Sequence, residues 1–174
     1  KAECQFKKAS AKYSSVLILA VGNHARLLNR IQRAEKAAGE MPELNRIIPG
    51  EAKTGVITAG SEFNYALEAL DALGIHDFPI LKLGIVYPIN PELVEKFAHG
   101  LQNIIVVEEQ EGFIEAEIKR ILFEKKMLRE VHGKDLFTAV SELNTDIVIR
   151  GLSKATGKKE PIDYAAIKPN TTKP

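Results

Sequence analysis

The sequence predicts an α/β domain: a three-layer α/β/α sandwich around a mostly parallel sheet. Short apolar runs rich in β-branched residues alternate with stretches of helical apolar period. The connections between them are tight, and three consecutive strand–helix units of this kind make a parallel sheet with helices on both faces. The strand runs are continuously apolar, as strands covered on both faces must be. A chain of 174 residues, 45% hydrophobic and 27% charged, fits one globular domain with a tail.

The elements follow in order. Residues 16–21, all apolar, read as a short buried strand after Ser14. Residues 24–39 change to a helical period, with Leu27, Ile31, Ala34 and Ala38 on one face and Gly39 as the stop. Residues 40–53 carry Pro42, Pro49 and Gly50 and read as a connecting loop. Residues 54–59 predict a strand, Gly60 and Ser61 a turn, and Phe63, Ala66, Leu67 and Leu70 a helical stripe closed by Gly74. Residues 79–84 predict the next strand. Asn90 then caps a helix with Pro91 at its first position, a stripe of Leu93, Val94 and Phe97, and Gly100 as terminator. Residues 103–107 are a further strand, followed by a helix with Ile114, Ile118, Ile121 and Leu122 inward. Residues 136–140 read as a short last strand. Thr145 is expected to cap a final helix carrying Val148, Gly151, Leu152 and Ala155 on one side. From Thr156 onward glycine, proline and lysine make linker chemistry.

Composition excludes several classes of function. Twenty-four basic and 23 acidic side chains leave a net charge of +1, no footprint for nucleic acid. The one cysteine, Cys4, excludes an internal disulfide and any multi-cysteine zinc site or iron–sulfur cluster held by this chain alone. The run 16–21 is too short to span a bilayer and lacks a signal-peptide cleavage site, so no membrane partner and a cytoplasmic location are expected. Lys1 in first position points to a processed chain or a piece of a longer one.

Known catalytic motifs fail on inspection. No GxGxxG stands at a strand–helix junction. Gly50 and Gly55 have the spacing of a phosphate-binding loop, but Val56 and Ile57 stand where lysine and a hydroxyl residue are needed. Ser61 follows Gly60 without the second glycine of a nucleophile elbow. His24, His76, His99 and His132 are scattered singly, so no metal site is expected.

Two features remain. Thr58, Gly60 and Ser61 form a strand end running into a helix N-terminus, where free N–H groups favour an anion; they are candidate anion contacts, although Ser61 as a plain helix cap explains the same residues. Glu108, Glu109, Glu111, Glu115 and Glu117 cluster at another strand–helix junction. Paired carboxylates divide acid and base roles or bind a hard cation, and acids in a first turn also simply stabilise the helix. Arg26, Arg30 and Arg33 share a helix face, solvated or facing a subunit. Tyr87 and Pro88 leave one parallel strand and Glu108 and Glu109 the next, so they share the carboxyl edge. With Phe113 they are the candidate interface, although Tyr87 packing on its own domain and the glutamates offsetting a helix dipole explain the same residues.

Five stretches occur in the order found in indolepyruvate:ferredoxin oxidoreductase α subunits. They are residues 53–60 with Asn64, Tyr65 and the helix to Ile75; residues 79–88 with their aromatic–proline turn; residues 105–109 with Phe113, Ile114 and Glu115; residues 132–134; and residues 142–148. The approach, from Asn23 and Arg26 to Asn45 and Arg46, resembles the link leaving that family's thiamine pyrimidine-binding domain. The chain thus resembles the family's transketolase C-terminal-like domain. The resemblance implies residues 1–52 as a strand, helix and loop leading out of a preceding domain, 53–157 as the α/β domain, and 158–174 as a linker toward a following domain. It implies a parent enzyme that decarboxylates aryl 2-oxoacids on thiamine diphosphate with magnesium, passes electrons through 4Fe-4S clusters to ferredoxin and releases an acyl-CoA. Neighbouring pyrimidine and pyrophosphate domains and a second subunit would be its partners. The pyrophosphate–magnesium motif, the cofactor-activating glutamate and the cysteine clusters have no match here. The expectation is therefore an inactive, structural or assembly domain, with a free-standing anion- or nucleotide-binding module or an interaction module as alternatives.

Overall fold

The structure, a computed structural model, describes residues 7–14 and 16–161. A 3-10 turn, Ser10–Tyr13, precedes helix α1, Leu17–Gly39. Strand β1 is Arg46–Ile48, β2 Thr54–Ala59, β3 Ile80–Leu83, β4 Asn103–Val107 and β5 Glu130–His132. Helices α2 (Glu62–Ala72), α3 (Pro91–Ala98), α4 (Phe113–Glu124) and α5 (Thr145–Thr156) complete the domain.

The sheet runs β1-β3-β2-β4-β5, parallel except for β1, which pairs antiparallel with β3 at one edge. Register sorts the strand residues between the two faces. Val56 stands opposite Ile80 and Ile105, and this row packs under α2 and α5 with Ala66, Leu70, Val148 and Leu152. Ile57 stands opposite Leu81 and Val106, and this row faces α3 and α4 through Val94, Phe97, Ile118 and Ile121. Both rows are buried, which is why the strands carry no polar alternation. This is the predicted three-layer α/β/α sandwich.

The chain leaves β2 through α2 toward β3, on one face. It leaves β4 through α4 toward β5, on the other face and in the opposite direction. The carboxyl ends of β2 and β4 therefore flank a topological switch point, where the two departing loops open a crevice.

Several elements follow the sequence closely. Asn90 caps α3, its Oδ1 accepting from the Leu93 N–H at 2.8 Å with Pro91 in the first turn, and Gly100 follows with φ +83°.

Four readings need correction. Residues 17–21 are the first turns of α1, not a strand. The run continues without proline into Ala-, Leu- and Arg-rich sequence, and the helix satisfies its own backbone where no sheet edge is offered. Residues 40–53 are not only a loop, because β1 lies within them, too short to show a period. Residues 136–140 form no strand. The fifth strand is the mostly polar Glu130–His132, which pairs on one side only, while Phe137 is a buried core anchor from a loop. The cap of α5 is Asn144, whose Oδ1 accepts from Ile147 N–H at 3.0 Å, with Thr145 the first helical residue. Of the linker reading, residues 162–174 lie outside the described residues.

Candidate functional site

The crevice at the carboxyl edge measures about 320 Å³ and is walled by Ala59 and Glu62 on the β2 side and by residues 108–111 with Phe113 on the β4 side. Gly60 turns the chain with φ +56°, and Glu62 presses its carboxylate against that turn: a Cβ on Gly60 would meet Glu62 Oε2 at 2.9 Å. Ser61 precedes α2, but its hydroxyl caps nothing and reaches only Glu62 Oε2, at 3.5 Å. The plain-cap explanation of Ser61 therefore fails. Thr58 is fully buried, and its Oγ1 has no partner among the described residues. It stands in register with Lys82 and Val107, beneath the α2–α5 layer, whereas Gly60 and Ser61 are exposed. The three candidate anion contacts do not converge on one point, and the charge beside Gly60 and Ser61, that of Glu62, is negative.

Glu108 leaves β4 and turns inward, with 6% of its surface exposed. Its carboxylate accepts from the Ile114 N–H at 2.7 Å and the Glu115 N–H at 2.9 Å. Gly112 at the N-cap of α4 has no side chain to do this, so a residue upstream supplies the cap. Desolvation by burial pushes the Glu108 carboxyl above the usual glutamate range, outweighing the two backbone N–H donors and the nearby Lys134. The Lys134 ammonium donates to the backbone oxygen of Glu108.

Three other acids of the cluster are also committed. Glu109 accepts from the Leu143 N–H at 3.0 Å, tying the loop before α5 to the β4–α4 turn. Glu115 pairs with Lys119 and accepts from the Lys134 N–H at 2.9 Å. Its carboxylate packs against the backbone of Gly133, in the space that a side chain there would enter. His132 Nδ1 sits 2.8 Å from Asp135. Desolvation pushes the Asp135 carboxyl up, but the hydrogen bonds from His132 and the Gly133 N–H prevail and hold it below the usual range. Glu117 pairs with Arg120 on the helix surface. Among the described residues no group of three or more His, Cys, Asp or Glu is placed to hold a metal ion.

One side of the crevice is apolar. Tyr87 and Phe113 meet with ring centroids 6.3 Å apart and planes tilted by 60°, yet they remain 59% and 49% exposed. Val86 beside them is also exposed, while Pro88, joined to Tyr87 by a cis peptide bond, is buried. The structure thus brings Tyr87, Phe113, Glu108 and Glu109 to one edge. Glu108 belongs to its framework, and the two rings are its exposed features.

Sequence reasoning missed Asn45, which is buried. Its Nδ2 donates to the Ala38 carbonyl at 2.8 Å, and its Oδ1 accepts from the Gly84 and Ile85 N–H groups at 2.9 and 3.0 Å. With Asn90, which donates to the Glu35 carbonyl, it bolts the last turns of α1 to the carboxyl edge. A lone asparagine in a loop carries no periodic signal that would have marked it.

The family model described as indolepyruvate oxidoreductase domain matches residues 46–155, from β1 into α5. The chain belongs to the indolepyruvate oxidoreductase domain family. An indolepyruvate oxidoreductase subunit IorA from Pyrococcus horikoshii is 36% identical over 163 residues, 93% of this chain. That of Thermococcus kodakarensis is 34% identical over 164 residues, 94% of this chain, and that of Methanothermobacter thermautotrophicus 34% identical over 156 residues, 87% of this chain. The chain spans 25% of the length of each. The Pyrococcus horikoshii match covers 93% of the chain and so takes in the residues of α1, which precede residue 46. A solved structure described as a split gene transketolase, inactive beta4 tetramer, is 22% identical, covers 66% of this chain and 42% of its own, and has a TM-score of 0.49. That likeness is too loose to assign the fold, which strand order and register define. No helix among the described residues is long and apolar enough to cross a membrane.

Proposed function

We propose that this chain is a non-catalytic assembly domain of a thiamine-diphosphate-dependent indolepyruvate (aryl 2-oxoacid):ferredoxin oxidoreductase, placed between its thiamine-binding domains. The parent would act in the cytoplasm, oxidatively decarboxylating the oxoacid to an acyl-CoA and reducing ferredoxin. The observation that carries the reading is the state of the switch-point crevice, where open α/β sheets place their ligands. The N-terminus of α4 is satisfied by the chain's own Glu108, and at the start of α2, which no side chain caps, the Glu62 carboxylate presses against the Gly60 turn. A diphosphate needs free N–H donors and cationic or metal partners there; the residues present offer carboxylates instead, so they do not fit thiamine diphosphate or its magnesium. No catalytic step is assigned to this domain.

What the edge offers is a contact. Tyr87 and Phe113 present about half of each ring to solvent beside carboxylates, which suits a partly wet interface. The test is to replace both rings with alanine in the complete oxidoreductase and, separately, in this chain. Weakened assembly or lowered turnover is expected in the enzyme, with the chain's own stability lowered by no more than about 3 kcal/mol, since each half-exposed ring forfeits only about half of what full burial contributes. Intact assembly together with a destabilised chain would show that the rings serve only the fold.

A further inference from the structure

At one edge of the sheet, Arg46 of β1 stands directly opposite Lys82 of β3. Residues paired this way have Cα atoms about 4.5–5.5 Å apart and point their side chains to the same face. Here it is the face under α2. Ile48 and Ile80, two residues along, pack into the α2–α5 core, and the Lys82 ammonium lies over the Phe63 ring, 5.2 Å from its centroid. Among the described residues neither cationic side chain makes a hydrogen bond or an ion pair. Glu62, next to Phe63, turns its carboxylate to the Gly60 turn and the Ser61 hydroxyl instead.

Like charges directly opposite each other are destabilising, so the pair calls for a reason. Arg46 is exposed on the edge strand, where a charge discourages pairing with another chain. Lys82 is half-buried on an inner strand, where there is no edge to guard. Phe63 accounts for its apolar stem, but not for a second positive charge placed across from it. Two cations side by side without an acid make a seat for an anion.

We propose that Arg46 and Lys82 clamp a phosphate group of a small ligand. A phosphate dianion cancels both charges, whereas a single carboxylate leaves one uncompensated. The guanidinium offers its planar fork to two phosphate oxygens, and the ammonium adds a third contact from a flexible stem. The clamp shares no residue with the switch-point crevice or with the Tyr87–Phe113 edge, so it stands independently of the assembly contact.

The test titrates this chain with inorganic phosphate around pH 8, at constant ionic strength, and follows backbone amide shifts by NMR. Saturable shifts at Arg46, Lys82 and Phe63 are expected, with a rise in the thermal midpoint. Arg46→Gln and Lys82→Met should each weaken binding by about tenfold. In phosphate-free buffer the midpoint of Arg46→Gln should be unchanged or raised, because the variant relieves the repulsion. A clearly lowered midpoint would show that the charge is already compensated within the chain, and would overturn the proposal. So would the absence of saturable shifts up to roughly 20 mM phosphate, or binding that both variants leave intact. Acetate supplies the comparison with an acidic side chain and should bind several-fold more weakly. Equal or tighter binding of acetate would overturn the phosphate assignment in favour of a carboxylate from a neighbouring polypeptide.

Discussion

Replacing Glu108 with alanine removes a carboxylate that accepts two backbone N–H groups, at 2.7 and 2.9 Å, at the start of a helix whose own N-cap is glycine. Hydrogen bonds to a charged acceptor contribute about 1.5–3 kcal/mol each. Part of this is offset by the cost of holding the carboxylate where only 6% of the residue meets water. The net loss for Glu108→Ala is therefore about 2–3 kcal/mol, a fall in Tm of roughly 5–10 °C for a chain of this size. Glu108→Gln keeps one acceptor and should cost about 1 kcal/mol. The assay is urea unfolding followed by far-UV circular dichroism, with hydrogen exchange at the Ile114 and Glu115 amides as the local readout. A loss under about 0.5 kcal/mol with both amides still protected would refute the capping argument. The pH dependence has a definite sign. Desolvation raises the folded carboxyl above its ordinary value of 4.5, so the folded state holds this proton more tightly than the unfolded chain does. The associated stability is fully present below pH 4.5 and is lost as pH rises through the folded value. The stability of the unsubstituted chain minus that of Glu108→Gln should therefore shrink between pH 4 and pH 7, and a difference that grows would contradict the assignment.

Asn45→Ala should cost about 3 kcal/mol, because it leaves the Ala38 carbonyl and the Gly84 and Ile85 N–H groups without their partner, and exchange in the last turns of α1 should accelerate selectively. Thr58→Val replaces a fully buried, unpaired hydroxyl with a methyl group of nearly the same shape. It should stabilise the domain by about 1 kcal/mol in the same urea assay, and a comparable loss instead would reveal a partner for Oγ1.

Much of the α/β core was legible because its signals are local. The run in β4 is apolar at every buried position and that in β2 at every one but Thr58, and Pro91 after Asn90 marks a helix start by its own stereochemistry. The family resemblance rested on the same stretches, which carry the sheet and its turns. The failures share a cause: each depended on what another segment offered. An apolar run such as 16–21 has no secondary structure of its own until a sheet edge is supplied or withheld. β1 and β5 are three residues each and exist only as partners of β3 and β4. The glutamate cluster looked like candidate chemistry in one dimension. In three, Glu108 caps a helix six residues on, Glu109 holds Leu143, and Glu115 fills the space that Gly133 leaves open. Side-chain identity reports which bonds a residue is able to make. Burial and the positions of distant backbone groups select among them, and here they turned the acids toward N–H donors and left the aromatic rings facing water.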